Sequence, residues 1–313
     1  MGKVLVIGSL NMDIVQEVTR HPKIGETVRS QSTQFIPGGK GANQAIATAK
    51  TGSNVLMIGV IGRDSFGHRI KENLLKAKVN TDYLIEHEGQ TGMATILVNR
   101  NGNNTIVLDP GVNLNLIPSE VHFVESILDN YEVVLLQNEI PWETNQHVLK
   151  LALKLNKKVF LNLAPGMKVK TEDLKNISLL NLNETETEIL TGIEIKTITE
   201  CEEALKELIR IGLSEVIITL GEKGSAYLNK EGKFIITPAF RVDVVDTTAA
   251  GDTFIGSFTS ARLKGLNIHE CLEFATAASA LCVSRKGAQQ SIPDLKEVEE
   301  FLNKHKTINR GNL

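Results

Sequence analysis

The stretch VVLLQNEIPWETNQHVLKLALKLNKKVFLNL, residues 133–163, decides the fold class. Short runs rich in Val and Leu open and close it, and residues 142–155 between them repeat apolar side chains at helical spacing. Apolar runs without polar alternation are typical of strands that are covered on both faces. The stretch therefore predicts a strand–helix–strand unit with parallel strands.

The same alternation of strand and helix continues along the chain. Further buried-strand patterns lie at residues 4–7, 55–58, 179–182 and 216–220. Further helical patterns lie at residues 43–50, 66–77, 120–128, 200–211, 252–264 and 269–283. This rhythm predicts an α/β fold with a doubly wound, mostly parallel sheet.

Two regions break the rhythm. Residues 14–36 and 92–108 alternate apolar and polar side chains, and RNGN at 100–103 is a strong hairpin signal. We expect both regions to form a small β-sheet within a single domain that spans residues 1–313. Such a sheet could cover a site as a lid, or its open face could pair with a second copy.

The net charge and the cysteine content indicate which ligands and which cellular compartment to expect. The 313 residues carry a formal net charge of −3, whereas proteins that bind nucleic acid usually have a basic excess. Three cysteines without a CxxC pair favour a reducing compartment over a disulfide framework. The N-terminal apolar run is too short for a signal peptide, and no run reaches membrane-spanning length. We expect a cytoplasmic protein of small-molecule chemistry, with no nucleic acid or membrane partner.

The segment DTTAAGDTF, residues 246–254, carries the strongest chemical signal. Small residues lead into Gly251-Asp252, and a helical pattern follows. Free amides of Ala249, Ala250, Gly251 and Asp252 could form an anion hole for a transferring phosphoryl group. Asp252 could then remove the proton of an attacking hydroxyl. The alternative is an ordinary N-cap, which leaves the run of small residues unexplained.

Two segments suit the binding of a sugar. In GGKGANQA, residues 38–45, the glycines permit close backbone approach, and Lys40 and Asn43 offer donors to hydroxyl groups. In GSLNMD, residues 8–13, Asp13 follows a strand and could accept hydrogen bonds from vicinal hydroxyls. The first segment is not a Walker A loop, and the second lacks the GxGxxG of a dinucleotide-binding oxidoreductase. Each segment alone could be a simple turn or helix cap.

Two further segments suit a nucleotide. In NETE, residues 183–186, Asn183 and Glu186 have the spacing of a capping box, and Glu186 could also organise hydrated Mg²⁺. In TLGEKG, residues 219–224, a glycine-bounded turn after a strand could hold the phosphates or adenosine of ATP. The histidines are scattered and no HExxH occurs, so a catalytic transition metal is not expected.

Together the segments resemble the phosphofructokinase-B-type carbohydrate kinases, in one order from residue 4 to about residue 301. The segments NLAPG at 162–166 and RKGAQQS at 285–291 belong to the same resemblance. It implies that Asp252 is the catalytic base and that residues 249–251 form the anion hole. It implies sugar contacts from Asn11, Met12, Asp13, Gly39, Lys40, Gly41, Ala42, Asn43 and Glu139.

The resemblance also implies binding sites for ATP and metal ions. Expected ATP contacts are Asn183, Thr219, Leu220, Gly221, Glu222, Lys223, Gly224, Gly251, Asp252 and Thr276. Glu186 matches a magnesium-associated position. An activating K⁺ is expected at Asp246, Thr248, Cys282, Arg285, Gly287 and Ser291, mostly through backbone oxygens. The small sheet is expected to close over the sugar and to form a homodimer contact.

The first functional hypothesis is the ATP-dependent phosphorylation of D-ribose at its 5-hydroxyl. It depends on Asp13, Lys40, Asn43 and Glu139 lying beside the base. A kinase of another sugar or of a nucleoside is the alternative within the family. A protein that binds a sugar or nucleotide without catalysis is the alternative from another class, although Asp252 and Gly251 argue against it.

Overall fold

The structure is a computed structural model that describes residues 2–100 and 103–311. Its strands are β1 (Lys3–Ile7), β2 (Asn11–Val18), β3 (Ser30–Gly38), β4 (Asn54–Gly62), β5 (Asn80–His87), β6 (Gly92–Val98), β7 (Asn104–Asp109), β8 (Val133–Gln137), β9 (Lys158–Asn162), β10 (Leu179–Asn183), β11 (Glu215–Thr219), β12 (Ser225–Asn229) and β13 (Phe234–Thr237). Its α-helices are α1 (Lys40–Lys50), α2 (Ser65–Lys76), α3 (Val124–Ile127), α4 (Trp142–Lys154), α5 (Thr171–Leu174), α6 (Glu184–Thr191), α7 (Ile198–Arg210), α8 (Ala250–Leu263), α9 (Ile268–Val283) and α10 (Leu295–Gly311).

The main sheet is mostly parallel. In the described part of the chain it has nine strands in the order β13-β12-β11-β10-β9-β8-β1-β4-β5. Strands from β11 to β5 run parallel, and β12 and β13 add an antiparallel edge. The predicted α/β fold with a mostly parallel sheet is confirmed.

Strand β1 shows why the sheet is covered on both faces. Its side chains alternate between two cores: Val4 and Val6 lie in the core beside α1, α8 and α9, whereas Leu5 and Ile7 lie in the core beside α4 and α7. All four side chains are fully buried. A strand with two buried faces needs apolar residues at every position, which explains the unbroken apolar run in the sequence.

The second sheet lies where the helical rhythm breaks. Among the described residues it has the order β3-β2-β6-β7, with β2 parallel to β6 and antiparallel to β3. Strands β6 and β7 form the antiparallel pair expected of a hairpin, from Val98 opposite Asn104 to Met93 opposite Asp109. The tip of the predicted turn, residues 101 and 102, lies outside the described residues. Because only three residues separate β1 from β2, the second sheet begins next to the carboxyl end of β1.

One predicted helix is wrong. Residues 120–128 form no continuous helix but three short turns, at Pro118–Val121, Val124–Ile127 and Leu128–Asn130. Val121, Val124 and Leu128 are fully buried, so separate turns satisfy the same apolar spacing. The pair β12–β13 and helix α10 had no prediction, and the described residues contain no helix with the length and apolar character of a membrane span.

Candidate active site

The candidate site lies at the carboxyl ends of the parallel strands, the edge where open α/β sheets bind ligands. Strands β9, β10 and β11 end there at Asn162, Asn183 and Thr219. A cleft of about 210 Å³ opens at this edge. Its lining residues are Lys40, Asn162, Ala164, Asn181, Asn183, Glu186, Thr219, Thr247, Ala249, Ala250, Gly251 and Asp252.

The carboxylate of Asp252 is held at both oxygens in the first turn of α8. Asn43 Nδ2 donates to Oδ2 over 2.9 Å, and Gln44 Nε2 donates to Oδ1 over 2.9 Å. The side chain is buried yet borders the cleft. The two donors fix the orientation of the carboxylate at the cleft, and a general base must be positioned in this way toward its substrate.

The start of α8 presents free amides to the cleft. Ala249, the N-cap, has a left-handed backbone with φ of 62°, which is uncommon for a residue with a side chain. The Ala250 amide donates to Thr247 O over 3.2 Å and the Thr253 amide to Ala249 O over 2.8 Å. Among the described residues, the amides of Ala249, Gly251 and Asp252 donate to no protein acceptor. Of the predicted segment 249–252, these three amides are therefore available to an anion.

A second group of charged side chains lies beside Asp252. Glu139 Oε2 accepts from Ser9 Oγ at 2.6 Å and from the Lys40 amide at 3.1 Å. Burial opposes the charge of Lys40, but the carboxylates of Asp252, Glu139, Glu186 and Asp13 raise its pKa above the ordinary value. One ammonium therefore compensates several carboxylates, and this region has spare hydrogen-bond acceptors for a polyhydroxyl ligand.

Asp13 is the carboxylate that Lys40 compensates least. Burial raises its pKa from 3.8 to about 7, with further contributions from Glu139 and Asp252 that exceed the opposing effect of Lys40. The side chain is 8% exposed on β2 of the second sheet, whereas its charged neighbours Lys40, Asp252 and Glu139 lie in α1, in α8 and in the segment after β8.

The titration of Asp13 predicts how stability depends on pH. Because its pKa is raised in the folded state, the folded chain retains a proton that the unfolded chain releases above pH 3.8. The free energy of unfolding should therefore fall as pH rises from about 4 to 8, by at most about 4 kcal/mol. In Asp13→Asn this loss should disappear, as denaturant unfolding of the ligand-free chain at pH 5 and pH 8 would show. The control Glu17→Gln changes a carboxylate on the same strand whose pKa is lowered through its hydrogen bond with Lys286. Equal pH dependence in wild type and Asp13→Asn would contradict the assignment.

Glycine is required where α1 begins. Gly39 has φ of 88°, and a Cβ there would lie 2.7 Å from the Asn11 amide nitrogen. A Cβ on Gly41 would lie 2.6 Å from the Ser9 nitrogen. These approaches place the amide end of α1 against the segment between β1 and β2, which explains the GGKG pattern.

Of the residues predicted to contact ATP and its magnesium ion, Asn183, Glu186, Thr219, Gly251 and Asp252 line the cleft. Asn183 and Glu186 form the predicted capping box: Asn183 Oδ1 accepts from the Glu186 amide at 2.8 Å, and Glu186 Oε2 accepts from the Asn183 amide at 2.9 Å. Burial raises the pKa of Glu186, against the opposing effects of the Asn183 amide and Lys40. Gly221 and Gly224 both have positive φ in the turn after β11. Asn181 lines the cleft with an Nδ2 that has no partner among the described residues.

Some predicted side chains lie away from the cleft. Met12 and Leu220 are buried in the two hydrophobic cores. Thr276 is buried in α9, and its hydroxyl donates to Leu272 O over 2.8 Å. Glu222 and Lys223 are exposed. Of the predicted sugar contacts, Asn11 accepts from Asn113 Nδ2 over 2.8 Å, and Gly39 and Ala42 are buried around it.

The residues predicted to hold K⁺ are joined by hydrogen bonds. The Asp246 carboxylate accepts from the amides of Thr248 and Gly287, each over 2.9 Å. Cys282 Sγ lies 3.1 Å from Ser291 Oγ and 3.6 Å from Thr248 O. The Arg285 side chain turns away and pairs with Glu297. The described residues contain no group of three or more His, Cys, Asp or Glu that could hold a metal ion.

Several polar residues were not predicted. Gln44 is fully buried and connects Asp252 to a chain of amides: Gln137 Nε2 donates to its Oε1 over 2.7 Å, and its own Nε2 also donates to Asn162 Oδ1 over 3.0 Å. Gln289 donates to Asn43 Oδ1 over 3.0 Å. The available signal for Gln44 was a second amide side chain, directly after Asn43 in the segment GGKGANQA.

Gln44 gives a test of how Asp252 is oriented. In Gln44→Met the donor to Asp252 Oδ1 is lost, so the carboxylate is held less firmly and kcat should fall by about tenfold. The KM for the sugar should stay near the wild-type value because Asn43 and Asp13 remain. The control Thr48→Val removes a buried hydroxyl one turn further along α1, which among the described residues bonds to Gln44 O and Gly256 O. An equal fall in kcat in both variants, or in neither, would contradict the role of Gln44.

A carboxylate beside free helix amides, in the cleft of an open α/β sheet, provides the positioning and charge stabilisation that phosphoryl transfer needs. The family model described as pfkB family carbohydrate kinase matches residues 1–295. The chain therefore belongs to the pfkB family of carbohydrate kinases, and the predicted family and enzyme class are confirmed.

Proteins similar to this chain align with nearly its whole length. A ribokinase from Haemophilus influenzae is 39% identical over 298 residues, which cover 95% of this chain and 97% of the relative. A deoxyribokinase from Salmonella typhi is 34% identical, covering 96% and 98%. The structure of Arabidopsis thaliana ribokinase complexed with ribose and ATP matches with a TM-score of 0.88 and 36% identity, covering 96% of this chain and 98% of the other.

Proposed function

We propose that this chain transfers the γ-phosphoryl group of ATP to the 5-hydroxyl of D-ribose. The observation that carries the proposal is the position of Asp252. It is in contact with the sugar-type residue Asn43, and it stands on the helix whose free amides face the nucleotide end of the cleft. Full-length similarity to ribokinases, one of them complexed with ribose and ATP, supports the same reaction.

In this reaction Asp252 accepts the proton of the attacking hydroxyl while the γ-phosphoryl group moves to the sugar oxygen. The amides of Gly251 and Asp252 stabilise the charge that develops on the phosphoryl oxygens. Lys40, which the surrounding carboxylates keep protonated, adds a positive charge at the same place. Asn43, which belongs to the segment proposed to bind the sugar, orients Asp252 by donating to its Oδ2.

The residues present fit Mg²⁺ and K⁺. Only one Glu186 oxygen is used in the capping box, so the other could receive a water of hydrated Mg²⁺ that accompanies ATP. Mg²⁺ supplies charge neutralisation on the phosphates. The Asp246, Thr248, Gly287 and Ser291 segments would hold K⁺ through backbone oxygens and thereby order the loop before α8.

Deoxyribose is the competing acceptor, because a deoxyribokinase is among the similar proteins. Asp13 is suited to accept from two adjacent hydroxyls, and deoxyribose lacks one of them. A buried acceptor left unpaired costs about 1–3 kcal/mol, which favours ribose.

The test is ADP release with MgATP and KCl, comparing D-ribose with deoxyribose, fructose, adenosine and no acceptor. Release that depends on ribose most strongly is the expected result. Stronger release with another acceptor would reject the sugar assignment but keep the enzyme class. Ribose binding without ADP release would favour the non-catalytic alternative, and replacing KCl by tetramethylammonium chloride tests the K⁺ site.

We also propose a cytoplasmic location, a role of the second sheet as a lid over the sugar, and a homodimer contact through the exposed edge of this sheet. Strand β7 exposes Ile106, Val107 and Leu108, which are 56%, 66% and 42% accessible. A contiguous apolar strand at a sheet edge is a surface that a second copy of the same strand can cover. Analytical ultracentrifugation of Val107→Lys should show monomers if this strand is the interface. A dimer unchanged by the substitution would reject it.

A further inference from the structure

Asn113 connects the two sheets beside Asn11, one of the residues expected to contact the sugar. It lies in the 3₁₀ helix Gly111–Asn115, shortly after β7, and is 1% exposed. Its Nδ2 donates to Pro110 O over 2.9 Å and, in the segment between β1 and β2, to Leu10 O over 3.1 Å. One buried amide therefore joins two of the places where the chain crosses between the sheets. No step of the proposed reaction uses this residue.

Main-chain groups fix the orientation of the Asn113 amide. The Leu10 amide donates to Asn113 Oδ1 over 2.9 Å, so this position must be the oxygen. The carbonyl oxygens of Leu10 and Pro110 both lie at the other position, which must therefore be the NH₂ group. Because a main-chain N–H only donates and a main-chain carbonyl only accepts, the side chain has a single orientation that satisfies all of them.

Asn113 passes this orientation on to Asn11. Asn113 Nδ2 donates to Asn11 Oδ1 over 2.8 Å, so the side-chain oxygen of Asn11 is turned toward Asn113. Among the described residues, Asn11 Nδ2 donates to no protein acceptor. The group of Asn11 that remains for a ligand is therefore a hydrogen-bond donor.

Glycines surround the bond between the two amides. In the second sheet Asn11 lies opposite Gly38 of β3 and opposite Gly92 of β6, and both glycines are buried. A Cβ on Gly92 would overlap both Asn11 Oδ1 and Asn113 Nδ2. The backbone of β6 thus covers the bond and keeps water from replacing it, which strengthens the preference for one orientation.

Asp13 shares this face of β2, because side chains two residues apart on a strand point to the same side of a sheet. Asp13 offers a carboxylate where Asn11 offers an NH₂ group. A sugar hydroxyl both donates and accepts hydrogen bonds, so a donor next to an acceptor suits the binding of neighbouring hydroxyls.

We propose that Asn113 is a positioning residue for sugar binding, which turns the amide of Asn11 so that its NH₂ group, and not its oxygen, meets a sugar hydroxyl. The inference rests on the proposed function in one respect, namely that the ligand of this region is a sugar. Without Asn113 the amide of Asn11 is free to turn over, and oxygens of both Asn11 and Asp13 then face the sugar.

The test is calorimetric titration of the full-length chain with the sugar and, separately, with a non-hydrolysable ATP analogue. The variants are Asn113→Ala, Asn11→Ala and the two combined. The sugar is D-ribose or, where ADP release by wild type is higher with another acceptor, that acceptor. Binding requires no turnover, so a chain that binds the sugar without releasing ADP would reject the proposed reaction and still test Asn113.

Thr144→Val is the matched control. Thr144 is fully buried, and its Oγ1 donates to Leu116 O over 2.5 Å. The substitution therefore removes a buried hydrogen bond to the chain just after Asn113 and leaves the bonds to Leu10 and Asn11 in place. It should bind both ligands as wild type does.

Asn113→Ala should bind the sugar about tenfold more weakly than wild type, because the donor on Asn11 is no longer held toward the sugar. The combined variant should bind the sugar no more weakly than Asn11→Ala, since Asn113 acts through Asn11. The affinity for the ATP analogue should be the same in all variants. Additive losses in the combined variant, equal losses for both ligands, or wild-type sugar affinity in Asn113→Ala would overturn the proposal.

Asn11→Asp tests the orientation with Asn113 intact. The carboxylate keeps an oxygen for the bond from Asn113 Nδ2 and replaces only the NH₂ group of Asn11. The affinity for the sugar should fall by about tenfold or more, at least as far as in Asn11→Ala. Wild-type affinity in Asn11→Asp would show that an oxygen at this position meets the sugar, and it would overturn the proposal even where Asn113→Ala does not fold.

Discussion

Asp252→Asn should lower kcat by about 10²- to 10⁴-fold, the contribution typical of a positioned general base. The KM for the sugar should change little, because Asn43, Lys40 and Asp13 stay in place. ADP release at saturating ribose and MgATP measures both constants. Wild-type turnover in this variant would show that the proton leaves by another route.

The same substitution should also reduce stability, for a reason visible in the hydrogen bonds. Both carboxylate oxygens accept from amide donors, so the new NH₂ group must face one of them. Asn43 is held in its orientation by Gln289 and Gln44 by Gln137, which prevents either donor from simply turning over. We expect a loss of about 1–3 kcal/mol in the free energy of unfolding. The control is Ser257→Ala on the same helix, whose buried hydroxyl has no partner among the described residues.

Gly251→Ala should change stability and activity in opposite directions. A Cβ at this position meets no atom within 4 Å, and the residue lies in the first turn of α8. Alanine should therefore stabilise the fold by roughly 0.4–1 kcal/mol. The added methyl group would occupy the cleft beside the free amides, and kcat should fall by about 10²-fold, as when an anion-hole donor is lost.

Gly256 is the matched comparison on the same helix. A Cβ there would lie 2.7 Å from Ala47 Cβ and 2.9 Å from Gln44 O, so Gly256→Ala should destabilise the fold. Thermal unfolding and ADP release of both variants separate packing from anion binding. A stabilised Gly251→Ala with wild-type kcat would place the transferring phosphoryl group elsewhere.

The prediction from sequence succeeded where a local pattern has one physical cause. The unbroken apolar runs required two covered faces, and β1 has them. The spacing of Asn183 and Glu186 required a capping box, and the structure contains it. Residues 120–128 failed because apolar spacing alone does not distinguish one helix from three separate turns.

The unpredicted part of the site depends on contacts between distant residues. Gln44 can orient Asp252 because Gln137, 93 positions away, fixes its amide. The cavity of about 520 Å³ between β3, α1, α2 and the segment around Gln289 is likewise built from elements that lie far apart in the sequence. None of these elements has a local pattern that predicts a cavity. Sequence patterns report local preference, whereas the direction of a buried amide is set by the assembled structure.

The long separation between bonded residues has a consequence for biosynthesis. The bond from Asn43 to Asp252 joins positions 209 apart, and the bond from Ser9 to Glu139 joins positions 130 apart. A growing chain on the ribosome therefore presents Asp13, Lys40 and Glu139 long before Asp252 is made. A chain that ends before α8 carries these three residues but lacks Asp252 and the amides at the start of that helix, so it cannot assemble the cleft that they line.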